Sequence, residues 1–204
     1  MHSLIPLSQL PFSQACENNK SAILTHLTQW FNHTSHVLEI GSGTGQHCTY
    51  FAQQLGHLHW HPSDQAGNLI NLQARLNHFA LPNLSPAIAL DVQQDWPIFS
   101  HPIDAIFTAN TLHIMSKPLV EAFFAGCGKH VAKTGGVAIY GPFKYSGKFT
   151  SDSNQQFDHW LKEQNPLSGV RDIEWIHTLA QQQGLTLQQD ITMPANNRML
   201  YFSF

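Results

Sequence analysis

The chain has 204 residues, enough for one sizeable core and few for two independent ones; at 42% hydrophobic, 11% charged and a formal charge of −3, it offers no basic field for a nucleic-acid backbone. No stretch reaches the roughly 18 consecutive apolar residues of a membrane span, MHSLIPLSQLPF lacks the regions of an export signal, and Cys16, Cys48 and Cys127 form no CxxC pair. A cytoplasmic protein with reduced thiols and a small-molecule ligand is predicted, with neither nucleic acid nor membrane as partner; no motif encodes an oligomeric state.

Apolar strand candidates alternate with helical periodicity along the chain. Residues 21–31 space Ile23, Leu24, Leu27, Trp30 and Phe31 on one helical face, preceded by ENNK (17–20), where Asn18 or Asn19 can cap the helix. HVLEI (36–40) reads as a buried strand, and residues 45–56 as a helix that Gly56 can close. A second strand, 57–64, ends at Asp64; a helix covers about 66–80, and LPN turns the chain into a third strand, PAIAL, ending at Asp91. A fourth strand (103–110), a helix (117–131) and a fifth strand (135–142) starting at a glycine pair follow. Residues 142–172 are too long and too aromatic for a plain connector. A helix near 171–183 and two strands, 185–193 and 198–204, complete the pattern. It predicts one α/β domain over 1–204, a Rossmann-like three-layer α/β/α sandwich. Its seven-stranded sheet is mostly parallel with an antiparallel final strand, with an N-terminal cap at 1–33 and a lid insertion at about 142–170.

In such sheets ligands sit at the carboxyl ends of the strands. There the chain reads EIGSGTG (39–45), whose glycines let main-chain N–H groups approach a ligand without an intervening Cβ. A dinucleotide loop, G-x-G-x-x-G, would place its third glycine at position 46, which is Gln46. The pattern, with an acid two positions before Gly41, resembles the first motif of class I S-adenosylmethionine-dependent methyltransferases. The resemblance implies Glu39 near the aminoacyl end of the cofactor and Gly41, Ser42, Gly43 and Gly45 along it. Asp64, ending strand two, suits both ribose hydroxyls. Asp91, ending strand three, suits the adenine amine with Val92 packing near the base, or caps a turn. Asn110 follows strand four at the same edge.

Further residues carry a closer likeness: ENNKSAIL (17–24), VLEIGSGTGQH (37–47), HPSD (61–64), YGPF (140–143), SGK (146–148), SNQQFDHWL (153–161), NPLSGVRD (165–172) and MPANNRML (193–200). Together they span nearly the whole chain, which resembles the methyltransferase-like family known as domain of unknown function 938, including methyltransferase-like protein 26. The family's forms are close to E-R-N-K, R-N-P and G-L-R-D; here Asn18 and Gln164 stand where it has arginines, and Val170 where it has leucine.

Methyl transfer from a sulfonium needs alignment and water exclusion more than a dedicated base. His113 in ANTLHIM is the leading candidate base, as a side chain that titrates near neutrality, with Tyr140 second; packing is the alternative role for His113. In the insertion, Phe143, Tyr145, Phe149, Phe157 and Trp160 can cover an apolar acceptor, while Asn154, Asp158 and Arg171 orient its polar part. The plainer alternative is a helix with Phe157, Trp160 and Leu161 in the core and an Arg171–Asp172 pair at a helix start. Asn18, Asn19 and Lys20 are further substrate candidates, and PANN (194–197) reads as a hairpin turn. HLHWH places His57, His59 and His61 on one strand face, but no cysteine or carboxylate completes a ligand set there, so no metal is expected. The leading expectation is a methyltransferase acting on a small molecule. A non-catalytic binding protein on the same fold is the alternative, and a nicotinamide oxidoreductase is opposed by Gln46.

Overall fold

Residues 5–204 are described by a computed structural model; the first four residues of the expected N-terminal cap lie outside them. The described chain divides into two compact units, one ending at Phe107 and the other running Thr108–Phe204. In the first, helix α1 (Gln14–Trp30) leads to β1 (His36–Ile40), α2 (Gln46–Gln54), β2 (His59–Asp64), α3 (Leu69–Phe79), β3 (Ile88–Ala89) and β4 (Ile103–Ala109), whose last two residues belong to the second unit. Strand β1 pairs in parallel with both β2 and β4, and β2 in parallel with β3.

Helix α1 starts seven residues before the predicted 21, so ENNK lies inside it. Neither Asn18 nor Asn19 is the cap: the Ser13 hydroxyl accepts the Cys16 N–H, the bond expected of an N-cap serine. Asn19, Ile23 and Leu27, four residues apart, form its buried stripe. The third strand shrinks from five residues to two, because Pro86 has no N–H to give a ladder. Beneath α2, Phe51, Trp60 and Phe107 are fully buried, with ring centroids 5.4–5.9 Å apart. At about 2–3 kcal/mol per large side chain, that cluster is a main anchor for the strand ends that carry the glycine turn.

The second unit contains α4 (Lys117–His130), β5 (Val131–Gly141), β6 (Phe143–Tyr145), β7 (Lys148–Phe149), α5 (Asp152–Gln164), β8 (Arg171–Asp172), α6 (Ile173–Gln182), β9 (Thr186–Met193) and β10 (Asn197–Ser203). Strand β10 lies antiparallel between β5 and β9. The seven long-range strands form one sheet in the order β3-β2-β1-β4-β5-β10-β9, mostly parallel with its last strand reversed, as expected. Strand β5 begins at Val131, four residues before the glycine pair predicted to open it. Gly136 serves close approach instead, since a Cβ there would meet the Tyr201 hydroxyl at 2.5 Å.

The insertion has secondary structure of its own. Strands β7, β6 and β8 make a small sheet, with Phe143 opposite Arg171, and α5 follows from a Ser151 cap. Because Arg171 and Asp172 pair with β6, helix α6 starts at Ile173. The PANN segment is a tight turn between β9 and β10, with Ala195 and Asn196 at positive φ.

Candidate functional site

The turn after β1 is built from three left-handed glycines, Gly41 (φ 74°), Gly43 (φ 54°) and Gly45 (φ 74°). The Gly41 and Ser42 N–H groups both donate to the Ser63 carbonyl, at 3.0 and 2.9 Å, while the Ser63 hydroxyl donates to the Glu39 carbonyl at 2.6 Å. The exits of β1 and β2 are therefore stitched together. Across this seam Asp64, only 8% exposed, turns its carboxylate to the glycine loop. One oxygen accepts the Gly43 N–H and the other accepts Gln65 N–H and Asn68 Nδ2, each at 2.7 Å.

A Cβ on Gly43 would meet nothing within 4 Å, so bare main chain at the loop apex faces open space. A Cβ on Gly45 would lie 2.9 Å from Leu72 Cδ1 and 3.2 Å from Arg75 Cδ. Gly45→Ala adds that crowding to left-handed strain and is expected to lower stability by about 2–3 kcal/mol, whereas Gly43→Ala carries strain alone, about 1 kcal/mol. Urea denaturation of the two variants checks the difference.

Glu39 points inward. It is 2% exposed, its Oε2 accepts the Trp60 indole N–H at 2.8 Å, and burial pushes its carboxyl up to about 7. Asp91 is exposed and its Oδ1 accepts the Gln93 N–H at 3.0 Å, the turn-capping arrangement, with Val92 buried beside it. On α1, Asn18 is exposed and accepts from Gln14, while Lys20 pairs with Glu17 and lies 4.8 Å over the Tyr50 ring. Asn19 is buried and accepts from His47 Nε2 at 2.6 Å.

In the second unit, Asn110 (φ 60°) donates its N–H to the carbonyl of buried Tyr140 at 2.9 Å. His113 does not titrate near neutrality as expected. Burial first, then the Arg171 charge, lowers it to about 4, and its ring meets Phe157 edge-on at 5.2 Å. It is a neutral, packed imidazole at neutral pH.

Arg171 makes no helix-start pair with Asp172, which binds Lys144 at 3.3 Å. Its buried guanidinium donates to the carbonyls of Leu112, Met115 and Leu167. Asp158 accepts from the Val170 N–H and from Lys162, and Asn154 from α5 donates to Thr150 and to the Asn196 carbonyl. The polar groups expected to orient an acceptor thus bond to the protein's own backbone, at Val170 and Leu167 and at Leu112, Met115 and Asn196. Of the apolar residues expected there, Phe143 and Leu161 are buried, Phe157 is half-buried, and Trp160 stays 53% exposed, stacked on Phe157. Trp160 is therefore not in the core.

His57 precedes β2 and donates to the Phe31 carbonyl, so only His59 and His61 share the strand face. They meet His36 and His101 instead: His36 Nδ1 is 3.0 Å from His61 Nε2, and the His36 and His101 rings stack at 4.6 Å. Among the described residues, no group of three or more His, Cys, Asp or Glu is arranged to hold a metal ion, and no helix is long and apolar enough to cross a membrane.

Sequence reasoning passed over Gln46 and Arg75. Gln46 was noticed only as the glycine that is missing, yet its buried amide bonds to Ser13, Thr44 and Glu17. Arg75 donates to the carbonyls of Thr44 and Pro11.

A mostly parallel seven-stranded sheet with a reversed last strand, and a triple-glycine turn at the exit of β1, make this a Rossmann-like methyltransferase fold. The chain belongs to the family described as protein of unknown function (DUF938), which matches residues 10–203. Solved structures agree on the fold. An O-methyltransferase family protein from Burkholderia thailandensis superposes with a TM-score of 0.79 at 11% identity, over 93% of this chain and 57% of that one. The S-adenosylmethionine-dependent methyltransferase SibL in its apo form gives 0.77 at 17%, over 93% and 55%. Human N-acetylserotonin methyltransferase, solved in complex with SAM, gives 0.76 at 14%, over 93% and 52%. The chain thus spans little more than half the length of these proteins.

Proposed function

We propose that the protein is an S-adenosylmethionine-dependent methyltransferase acting on a small-molecule acceptor, in the cytoplasm, on a single domain akin to methyltransferase-like protein 26. The observation that carries this reading is the Gly41–Gly45 turn: its apex is open main chain and the Asp64 carboxylate lies at its lip. Such a surface suits a ligand with a vicinal diol and no phosphate, for which Asp64 would be the main polar hold, its carboxylate kept at the loop by the Gly43 N–H, with Asp91 and Val92 toward the base. S-adenosylmethionine, when bound, supplies a methyl group activated on a sulfonium. With His113 neutral and too weakly basic to take a proton at neutral pH, alignment and water exclusion carry the transfer.

Calorimetry with S-adenosylhomocysteine tests the reading. The wild-type chain is expected to bind, and Asp64→Ala to weaken binding roughly 100-fold, as two charge-assisted hydrogen bonds are lost. Absence of binding at millimolar ligand, or tighter binding of NADH, would remove it. One observation favours a second reading, a non-catalytic cofactor-binding protein: Asn154, Asp158 and Arg171 spend their hydrogen bonds on the protein's own backbone, at Asn196, Val170 and Leu112. Transfer of labelled methyl to any component of a cell extract excludes that reading.

A further inference from the structure

Gln46 occupies the first position of α2, where a dinucleotide loop would carry glycine, and it is 6% exposed. Its Oε1 accepts the Ser13 N–H at 2.6 Å and the Thr44 hydroxyl at 3.0 Å, and its Nε2 donates to the Ser13 carbonyl at 3.2 Å and to Glu17 Oε2 at 3.1 Å. One amide therefore saturates both directions of the Ser13 backbone and grips the loop at Thr44. Arg75, 5% exposed on α3, repeats the connection from the other side: Nε donates to the Thr44 carbonyl and Nη2 to the Pro11 carbonyl. His47, next in α2, binds Asn19 one turn further along α1. Three side chains thus tie the segment from Pro11 to Asn19 to the glycine turn and the start of α2, and two of them converge on Thr44.

We infer that Gln46 and Arg75 are positioning residues for the cofactor: they brace the glycine loop from behind, using residues 11–17 as the strut, so that the seating of α1 and the affinity of the loop for its ligand rise and fall together. This inference rests on the proposed cofactor reading. A glycine-rich loop with three left-handed residues has little conformational preference of its own; Ser63 and Asp64 fix its first half, and external contacts at Thr44 fix its second. The amide is specific to the task. Both atoms of a glutamate in its place would be acceptors, facing the Ser13 carbonyl and the Glu17 carboxylate where a donor is needed.

Hydrogen exchange on the ligand-free chain gives a readout independent of the cofactor. In Gln46→Glu, amides of residues 13–17 and 43–47 are expected to exchange together about tenfold faster, with strand β10 unchanged; Thr44→Val, which removes only one hydroxyl, should accelerate the same two segments about threefold. Calorimetry should then show S-adenosylhomocysteine binding weakened about tenfold in Gln46→Glu and in Arg75→Lys. Acceleration of residues 13–17 without the loop, in both Gln46→Glu and Thr44→Val, would overturn the brace, as would wild-type affinity in Gln46→Glu and Arg75→Lys. If Gln46→Glu fails to fold, Thr44→Val and Arg75→Lys decide by the same criteria. Should the wild-type chain bind no S-adenosylhomocysteine, the cofactor reading fails, and coupled exchange still shows whether strut and loop move as one.

Discussion

Between about pH 7 and about pH 5, the protein is expected to lose about 2–3 kcal/mol of folding stability, seen as a falling urea midpoint. Three imidazoles drive the loss. Burial, and after it nearby positive groups, lower His47, His61 and His113 each to about 4: Lys20 acts on His47, the neighbouring imidazoles His59, His36 and His101 on His61, and Arg171 on His113. In the unfolded chain a histidine takes its proton near 6.5, so between about 6.5 and 4 the unfolded state binds more protons than the folded one. The stability from these groups is complete above about pH 6.5 and drains as the pH falls toward 4, at about 2 kcal/mol by pH 5 for a fully buried ring and less for half-buried His61.

Glu39 works in the opposite sense. Its buried carboxyl, raised to about 7, holds a proton that the unfolded chain releases above about pH 4.5, so its stabilising effect is present at low pH and lost as the pH rises through 7. It offsets the histidines by about 2 kcal/mol at pH 5. Glu39→Gln should therefore steepen the acid loss to about 4–5 kcal/mol. A flat profile in the wild type, or an unchanged slope in the variant, would contradict this assignment of the buried charges.

Replacing Arg171 with methionine should cost about 2–3 kcal/mol, one of the larger single-residue effects available in the second unit. The guanidinium satisfies the carbonyls of Leu112, Met115 and Leu167 at once, joining the segment after β4 to the turn before β8. Methionine fills similar volume and leaves these acceptors without a donor. Asp158 keeps Lys162 and the Val170 N–H, so the change adds no isolated carboxylate. Arg171→Lys retains the charge but not the fork, and recovers about a third of the loss. Chemical denaturation gives the size of the effect; a loss below about 1 kcal/mol in the methionine variant would mean that the segments hold each other without this clamp.

Strands β1, β4 and β5 were legible as short apolar runs closed by glycine or asparagine, and the glycine turn because three left-handed positions within five residues favour glycine. Helix α1 was read too short, since QACENNK is nearly all polar and its cap, Ser13, follows a proline-containing stretch that reads as loop. Strands β6, β7 and β8 span two or three residues each and carry no period to detect. Asp158 and Arg171 resemble ligand-binding residues in one dimension, because only the folded chain brings the carbonyl of residue 112 and the N–H of residue 170 to them. Gln46 was marked by the spacing as a departure, but two of its four hydrogen bonds reach back 33 residues to Ser13, beyond any local pattern.

Strand β10 enters the sheet between β5 and β9, pairing with both through residues 198–203. During synthesis, neither neighbour can gain its partner on that side until this segment has cleared the ribosome. Until then the long edge of β5 is an open template for pairing with other nascent chains, a hazard that a chaperone covering the edge would relieve and a pause in translation before that point would prolong.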